Sequence, residues 1–289
     1  MGDGVIMEGE RPAPVTSDDE RAQVAAALDA TPELLPWLPE LLADLWDLGS
    51  SPALVAEWLG GLDLPPGTRA LDLGCGKGVV SLTLARDLGF QVHGVDLFEP
   101  FLLEARARAA DWGLADACRF EKGDVRAVVR TASGYDVVVY ASVGALGPLD
   151  ECVRALRTCV REGGLMVVHE GFLAPGAGPV AGFANLAGYG ETLRRLKSHG
   201  DEILREHVLT PEDMRALDER YINSIERRAK RIAAEQPAAA SLALGYVDRQ
   251  RRAATAWERA ARSAAWLLRK SRGDEAAPPT PRAAAPPRS

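Results

Sequence analysis

The stretch Ala70-Leu71-Asp72-Leu73-Gly74-Cys75-Gly76-Lys77-Gly78 decides how this chain folds. It begins as an apolar run that carries one acid, which is typical of a buried parallel strand. Three glycines at alternate positions then predict a tight turn, and Val79-Val80-Ser81 begins a helical pattern. Glycine has no Cβ atom, so a ligand can lie against the backbone, and a helix start offers free N–H groups. The stretch therefore predicts a ligand-binding turn between a strand and a helix.

The spacing of the glycines bears on the kind of ligand. A dinucleotide-binding turn has the pattern G-x-G-x-x-G, whereas the third glycine here, Gly78, comes one residue early. The acid Asp72 precedes the turn, and its carboxylate would repel a pyrophosphate but would suit a cationic ligand. The turn alone favours a cationic ligand and does not exclude a dinucleotide.

Strands and helices alternate from Thr68 onward, which predicts βαβ units and a parallel sheet. The second strand, residues 91–96, ends at Asp96, roughly 20 residues after the glycine turn. A carboxylate there can accept hydrogen bonds from ribose hydroxyls, because the second strand lies beside the first. Asp96 therefore predicts nucleoside binding without choosing between the two ligand classes.

The later strands follow the same order. The third strand, residues 117–120, is followed by Asp124, and the fourth, residues 135–140, runs into small residues up to Gly147. The fifth strand, residues 165–169, leads into Glu170. Open α/β sheets bind their ligands at the carboxyl ends of the strands, so we expect these segments to meet at one crevice.

This series of strands and motifs, from about Thr68 to Phe172, resembles the class I S-adenosylmethionine (SAM) dependent methyltransferases. The resemblance implies an α/β fold with a Rossmann-like, doubly wound sheet of about seven strands, mostly parallel with the last strand antiparallel. It implies SAM as cofactor and S-adenosylhomocysteine as product. The cofactor-binding residues that it implies are Asp72, Gly74, Cys75, Gly76, Gly78, Asp96, Leu97, Asp124, Val125, Tyr140 and Ala141. Asp124 would accept a hydrogen bond from the adenine amino group, and a helix-capping aspartate is the alternative.

The end of the fifth strand supplies the candidate catalytic residues, Glu170 and His169. Glu170 is predicted to contact an amine or hydroxyl of the methyl acceptor, with a loop-capping acid as the alternative. His169 is a candidate general base near neutral pH, with a buried, hydrogen-bonded strand histidine as the alternative. The predicted substrate-binding residues are Ser142, Val143, Phe172 and Tyr189.

Departures from related enzymes narrow the acceptor. Methyltransferases of exocyclic base amines resemble one another in an N/D-P-P-Y run, where this chain has Tyr140-Ala141-Ser142-Val143. The cysteine nucleophile of the cytosine-ring enzymes is missing, and Ser142 replaces the Asp or Asn ligands of metal-dependent catechol-type enzymes. We therefore predict metal-independent methylation of a small molecule, with no metal site. An RNA or protein methyltransferase, a SAM-binding module without catalysis and a nicotinamide oxidoreductase are the alternatives.

We predict that the chain has six parts, of which the SAM-binding core is one. The last apolar run is read as the final strand, with a continuation of the preceding helix as the alternative. The helical insertion is read as a cap over the crevice, with a dimerisation element as the alternative. The parts are a disordered tail (1–17), amino-terminal helices (18–62), the SAM-binding core (63–210), the helical insertion (211–262), the final strand (263–270) and a second disordered tail (271–289).

Composition excludes several classes of protein. Apolar residues make up 47% of the chain and charged residues 26%, which is ordinary for a globular domain. The net charge of −7 argues against general binding to nucleic acid, and no apolar run reaches the ~20 residues of a membrane span. The four cysteines lack a C-x-x-C spacing, and the chain starts without a secretory pattern. We predict a cytoplasmic enzyme with a small-molecule acceptor and with neither nucleic-acid nor membrane partners, and the oligomeric alternatives include a homodimer.

Overall fold

The computed structural model describes residues 17–49, 51–178 and 184–272. Its strands are β1 (Arg69–Leu73), β2 (Gln91–Asp96), β3 (Cys118–Lys122), β4 (Tyr135–Ala141), β5 (Val160–Leu173), β6 (Glu202–Val208) and β7 (Ala261–Arg269). Within these residues the strands form one seven-stranded sheet in the order β3-β2-β1-β4-β5-β7-β6. The predicted tails, 1–17 and 271–289, fall outside the described residues except for Ser17, Ser271 and Arg272.

The strand directions confirm the predicted fold class. Strand β1 pairs in parallel with β2 and β4, and β5 pairs in parallel with β4. Strand β7 lies antiparallel between β5 and β6. The last apolar run is therefore a strand and does not continue the preceding helix. The sheet is Rossmann-like and doubly wound, mostly parallel, with its last strand antiparallel.

The helices connect these strands and flank the sheet. They are α1 (Asp18–Ala27), α2 (Leu38–Leu41), α3 (Pro52–Gly60), α4 (Val79–Leu88), α5 (Glu99–Asp111), α6 (Val125–Val128), α7 (Leu149–Cys159), α8 (Tyr189–Leu196), α9 (Pro211–Glu235) and α10 (Ala240–Ala260). Short 3-10 helices cover Pro32–Trp37 and Pro237–Ala239. In the part of the chain that the structure describes, no helix is long and apolar enough to cross a membrane.

The alternation of side chains along β4 explains why helices cover both faces of the sheet. Val137 and Val139 belong to a core cluster with α3, α4 and α5. Val138 and Tyr140 belong to a second cluster with α7 on the other face. Successive residues of a strand point to opposite faces, so a continuous apolar run requires cover on both.

The helices at the two ends of the chain pack on each other. Leu34, Leu38 and Leu41, before α3, share a third apolar cluster with Ile225 of α9 and Tyr246 of α10. Ion pairs join the same elements: the carboxylates of Glu40, Asp44 and Asp47 pair with the arginines of α9, namely Arg220, Arg227, Arg228 and Arg231. Helices α9 and α10 lie in the predicted insertion, and they hold the amino-terminal segment in place.

Lys77 joins the glycine turn to this amino-terminal segment. Its side chain is 1% exposed, and its Nζ atom donates to the Leu42 carbonyl at 2.8 Å. The Nζ atom also lies 3.0 Å from Glu104 Oε2. Burial lowers the pKa of Lys77, and the carboxylate of Glu104 opposes that effect. The buried ammonium group of Lys77 therefore connects the glycine turn to Glu104 of α5 and to the Leu42 carbonyl at the end of α2.

We expect Lys77→Met to lower the free energy of unfolding by about 1.5–3 kcal/mol, because it removes a buried hydrogen bond from a charged donor and leaves Glu104 without that partner. Urea denaturation measures the change. Arg86→Met is the control, since Arg86 is half exposed and pairs only with its neighbour Asp87 among the ion pairs observed. A Lys77→Met protein as stable as the parent would show that the contacts of the Lys77 ammonium group contribute nothing to the free energy of unfolding.

Candidate functional site

A cavity of about 910 Å³ opens at the carboxyl ends of β1, β2, β4 and β5. Its walls include Gly74 after β1, Asp96 at the end of β2, Ala141 at the end of β4 and His169 near the end of β5. Helix α1 and residue Leu48 also line it. The four strand ends therefore meet at one crevice, as parallel strands of this topology require.

The glycine turn has the backbone conformation that its composition requires. Gly74, Gly76 and Gly78 have φ angles of +73°, +53° and +74°. These angles lie in the left-handed region, which glycine adopts at little cost. A Cβ atom on Gly78 would lie 2.8 Å from the Phe120 ring, so this glycine also allows helix α4 to approach β3 closely. Gly74 and Gly76 line the cavity, whereas Gly78 packs behind it.

Asp96 fixes the turn and faces the cavity. Its Oδ2 atom accepts a hydrogen bond from the Gly76 N–H at 2.8 Å, and its Oδ1 atom accepts from the Phe98 N–H at 2.8 Å. Burial raises the pKa of Asp96, and the N–H donors of Phe98, Gly76 and Leu97 oppose the rise. Each oxygen retains a lone pair beyond these bonds, so the carboxylate can still accept from a ligand hydroxyl.

Asp124 lines the cavity but is engaged locally. It caps α6 by accepting from the Arg126 N–H at 2.9 Å, and the Arg126 guanidinium also binds its carboxylate. This guanidinium lowers the pKa of Asp124. Arg126 reaches Gln23 of α1 as well, so the mouth of the cavity is bridged on this side. The capping alternative is observed, and recognition of adenine by Asp124 stays a prediction.

Three other predicted cofactor residues lie beside the cavity. Asp72 is buried, and Ser81 Oγ donates to its carboxylate at 2.6 Å. Burial raises the pKa of Asp72 to about 6. Asp72 and Cys75 line a small adjoining pocket of about 30 Å³ instead. The Tyr140 hydroxyl accepts from the N–H groups of Ala145 and Leu146 at 2.7 and 3.0 Å, so this tyrosine shapes the loop after β4 from behind.

The remaining predicted cofactor and acceptor residues divide between the cavity and the core. Those that line the cavity are Leu97, Val125, Ala141, Ser142, Val143, His169 and Glu170. Phe172 and Tyr189 do not: their rings pack on each other at 5.1 Å, and Tyr189 donates to Glu206 at 2.8 Å. Strand β5 continues to Leu173, and Phe172 is buried in the apolar cluster that contains Trp266 of β7 and residues of α7.

Glu170 lines the cavity near the end of β5 and carries a carboxylate. Its Oε1 atom accepts from the Gly171 N–H at 2.9 Å. Burial raises the pKa of Glu170, and that N–H opposes the rise. No group of three or more His, Cys, Asp or Glu side chains within the described residues is arranged to hold a metal ion.

Several residues that line the cavity were not predicted from the sequence. Trp257 of α10 packs so close to Gly171 that a Cβ there would lie 2.5 Å from its ring, and its Nε1 donates to Ser263 Oγ at 3.0 Å. Leu186, before α8, and Leu28, after α1, complete other parts of the wall. These residues lie far from the motifs along the chain, and no local pattern marks them.

His169 is held in a neutral state. Burial, with a smaller contribution from the nearby His207, lowers the pKa of His169 to about 4. His207 lies on β6, and both histidines are paired with Ala265 of β7. An imidazole with this pKa is uncharged near neutral pH and is available as a proton acceptor.

We expect the His169 ring to titrate near pH 4 rather than near its ordinary value of 6.5, because the charged form is desolvated. Proton NMR of the ring, assigned with a His169→Gln variant, measures the midpoint. The unfolded chain binds this proton near pH 6.5, so the contribution of His169 to stability is present above 6.5 and is lost as the pH falls towards 4. A midpoint above 6 would contradict the desolvated environment.

Known proteins are similar to this chain over part of its sequence, and solved structures are similar to it in fold. Residues 70–164 match the family model described as a methyltransferase domain. A 2-methyl-6-phytyl-1,4-hydroquinone methyltransferase from Synechocystis sp. is 38% identical over 120 residues, which are 40% of this chain and 36% of that protein. Over this and two further curated relatives, the chain spans 36% to 61% of their lengths.

Solved structures share the architecture at low identity. A SAM-dependent methyltransferase from Thiobacillus denitrificans, in complex with S-adenosylhomocysteine, is 21% identical, covers 80% of this chain and 97% of that chain, and has a TM-score of 0.65. The [4+2]-cyclase SpnF is 20% identical, covers 91% and 100%, and has a TM-score of 0.64. At these identities the likeness concerns the fold. Residues 70–164 therefore match a methyltransferase domain, and the chain shares its fold with a solved SAM-dependent methyltransferase.

Proposed function

We propose that this protein transfers a methyl group from SAM to a nucleophilic atom of a small molecule. One observation carries the proposal: the glycine turn and Asp96, which suit a nucleoside, share one cavity with His169 and Glu170, which suit a reacting nucleophile. A volume of about 910 Å³ lies in the range of small-molecule sites, and the described walls enclose it on several sides.

The residues present fit SAM. Asp96 would hold the ribose hydroxyls, because its oxygens keep free lone pairs after binding Gly76 and Phe98. Gly74 and Gly76 would let the ligand lie against the backbone, and Asp124 with Val125 would border the adenine. When bound, SAM supplies a methyl group that its sulfonium already activates. The chain must therefore position the acceptor, exclude water and take a proton where the acceptor loses one.

His169 and Glu170 are the two groups that could accept a proton from the methyl acceptor. His169 is neutral, because its pKa is about 4, and Glu170 keeps its Oε2 atom free of the hydrogen bond to Gly171. We assign the general base to His169 and the orientation of the acceptor to Glu170. Ser142, whose hydroxyl lies 3.3 Å from His169 Nδ1, would border the acceptor, and Val143, which also lines the cavity, would complete this wall next to Gly74.

We further propose that the helices of residues 211–262 act as a cap. Trp257 of α10 forms part of the cavity wall, and Tyr221 of α9 binds the backbone of Gly49, beside the lining residue Leu48. Two further aromatic side chains bind neighbouring segments: Trp46 donates to the Lys77 carbonyl, and Tyr246 of α10 donates to the Leu28 carbonyl. These contacts support a cap that covers part of the cavity and reduces its access to water, which benefits methyl transfer.

We expect Asp96→Ala to weaken SAM binding by roughly ten- to a hundredfold, because a hydrogen bond to a charged group contributes ~1.5–3 kcal/mol. Isothermal titration calorimetry measures the affinity. Asp87→Ala is the control, because Asp87 is an exposed carboxylate on α4 paired with its neighbour Arg86. Asp96→Asn, which keeps an acceptor for the Gly76 N–H, separates ligand contact from support of the turn. A folded Asp96→Ala protein with parental affinity would remove the ribose assignment.

Methyl-labelled SAM, incubated with the protein and a metabolite extract, tests the activity. We expect label in a small-molecule product identified by mass spectrometry, and roughly ten- to a hundredfold less of it with Asp96→Ala at SAM concentrations below the parental Kd. Label found only in RNA or protein would replace the small-molecule acceptor by a macromolecule. A product formed without label would indicate chemistry other than methyl transfer on this fold. SAM binding without any product would indicate a binding module.

A further inference from the structure

Ser142 has an unusual backbone conformation at the end of β4. Its φ angle is +59°, and Asp29 is the other non-glycine residue with a positive φ in the described part of the chain. Such a conformation costs energy for a residue with a Cβ atom, and strained residues concentrate at functional sites. The Ser142 N–H donates to the His169 carbonyl at 3.1 Å, so the two residues are tied through their backbones as well.

The Ser142 hydroxyl lies between two partners. Its Oγ atom is 2.9 Å from the Gly49 carbonyl oxygen and 3.3 Å from His169 Nδ1. A carbonyl oxygen can only accept, so the single hydroxyl hydrogen is directed to Gly49. The hydroxyl oxygen must then accept from Nδ1, and Nδ1 must carry the imidazole proton. The geometry therefore defines the proton position on a neutral ring.

We propose that Ser142 is a positioning residue that holds His169 as the Nδ1–H tautomer and leaves Nε2 as the proton acceptor of the site. The significance of this tautomer rests on the proposed methyl transfer. Free neutral imidazole side chains favour the opposite tautomer, with the proton on Nε2. Without Ser142, the ring would therefore present an N–H donor where the reaction needs a lone pair.

The proton transfer balances for an acceptor that carries a hydrogen. As the oxygen, nitrogen or sulfur of the acceptor gains its methyl group, its proton moves to Nε2, and the imidazolium later releases that proton to water. With its pKa of about 4, His169 is neutral before the reaction and returns readily to that state. The proposal thus fits an acceptor that loses a proton on methylation, such as a hydroxyl, a neutral amine or a thiol.

The cap supports this arrangement from the other side. The Gly49 N–H donates to the Tyr221 hydroxyl at 3.3 Å, and Asp47, two residues earlier, pairs with Arg220 at 2.8 Å. Residues 47–49 are therefore held by α9 at two points. These contacts hold the Gly49 carbonyl beside the Ser142 hydroxyl. The helices of the cap therefore support the proposed tautomer.

Nitrogen-15 NMR of the histidine rings tests the proposal without ligand or turnover. The chain contains four histidines, and a His169→Gln variant assigns the signal. We expect the Nδ1–H tautomer in the parent and a shift towards Nε2–H in Ser142→Gly, because glycine keeps the positive φ but lacks the hydroxyl. Ser263→Ala is the matched control: it removes a hydroxyl from the same cavity that binds Trp257 instead of His169. An Nε2–H parent, or a Ser142→Gly spectrum equal to that of the parent, would overturn the proposal.

Kinetics separates this inference from the proposed function. We expect Ser142→Gly to lower kcat by about 10- to 100-fold at saturating SAM and acceptor, within the range of general-base effects, while SAM affinity is retained. Parental kcat in a Ser142→Gly protein whose ring has become Nε2–H would overturn the role of the tautomer. If the parent shows the Nδ1–H tautomer but transfers no methyl group to any acceptor, the proposed function fails while the structural assignment stands.

Discussion

The hydrogen bond from the Gly76 N–H to the Asp96 carboxylate is the contact on which the site depends. It joins the turn after β1 to the end of β2, and it exists only because these strands are neighbours in the sheet. The same carboxylate accepts from Phe98 and so directs the chain into α5. One side chain therefore shapes the turn, begins the next helix and faces the cavity. Because the Asp96 carboxylate supports both the fold and the cavity, a change at this residue affects both.

A second layer of contacts ties this turn to the rest of the cavity wall. Lys77 follows Gly76 directly and reaches the Leu42 carbonyl, while Trp46 donates to the Lys77 carbonyl at 3.2 Å. The segment so fixed leads to Gly49, which binds both Tyr221 and Ser142. The site thus combines the glycine turn with a wall built from segments far apart along the chain. In the proposed function, the wall would contact the acceptor and the turn would contact the cofactor.

The sequence was most informative where the signal is local. The glycine turn, the acid that ends β2 and the alternating strands define the sheet, because tight turns and buried strands restrict which residues fit. Phe172 shows where local reasoning stops: its direction depends on β5 continuing to Leu173, and pairing with β7 some 90 residues away decides that extension. The contact of Ser142 with Gly49 likewise spans 93 residues. Such contacts follow from packing, which no nearby pattern encodes.

The arginines of α9 make this part of the cavity wall sensitive to salt concentration, because they hold it through partly exposed ion pairs. Arg220, Arg228 and Arg231 hold the segment before α3 through carboxylates on the outer side of the molecule. Dissolved ions screen exposed charges over ~8 Å at physiological ionic strength and over ~3 Å at 1 M salt. The apolar contacts beneath, such as Leu38 with Ile225 in one cluster, are not screened. Ionic strength therefore acts on the ion pairs between α9 and the cavity wall, whereas the hydrogen bond between the Gly76 N–H and the Asp96 carboxylate is screened much less, so salt concentration is a means of weakening the attachment of α9.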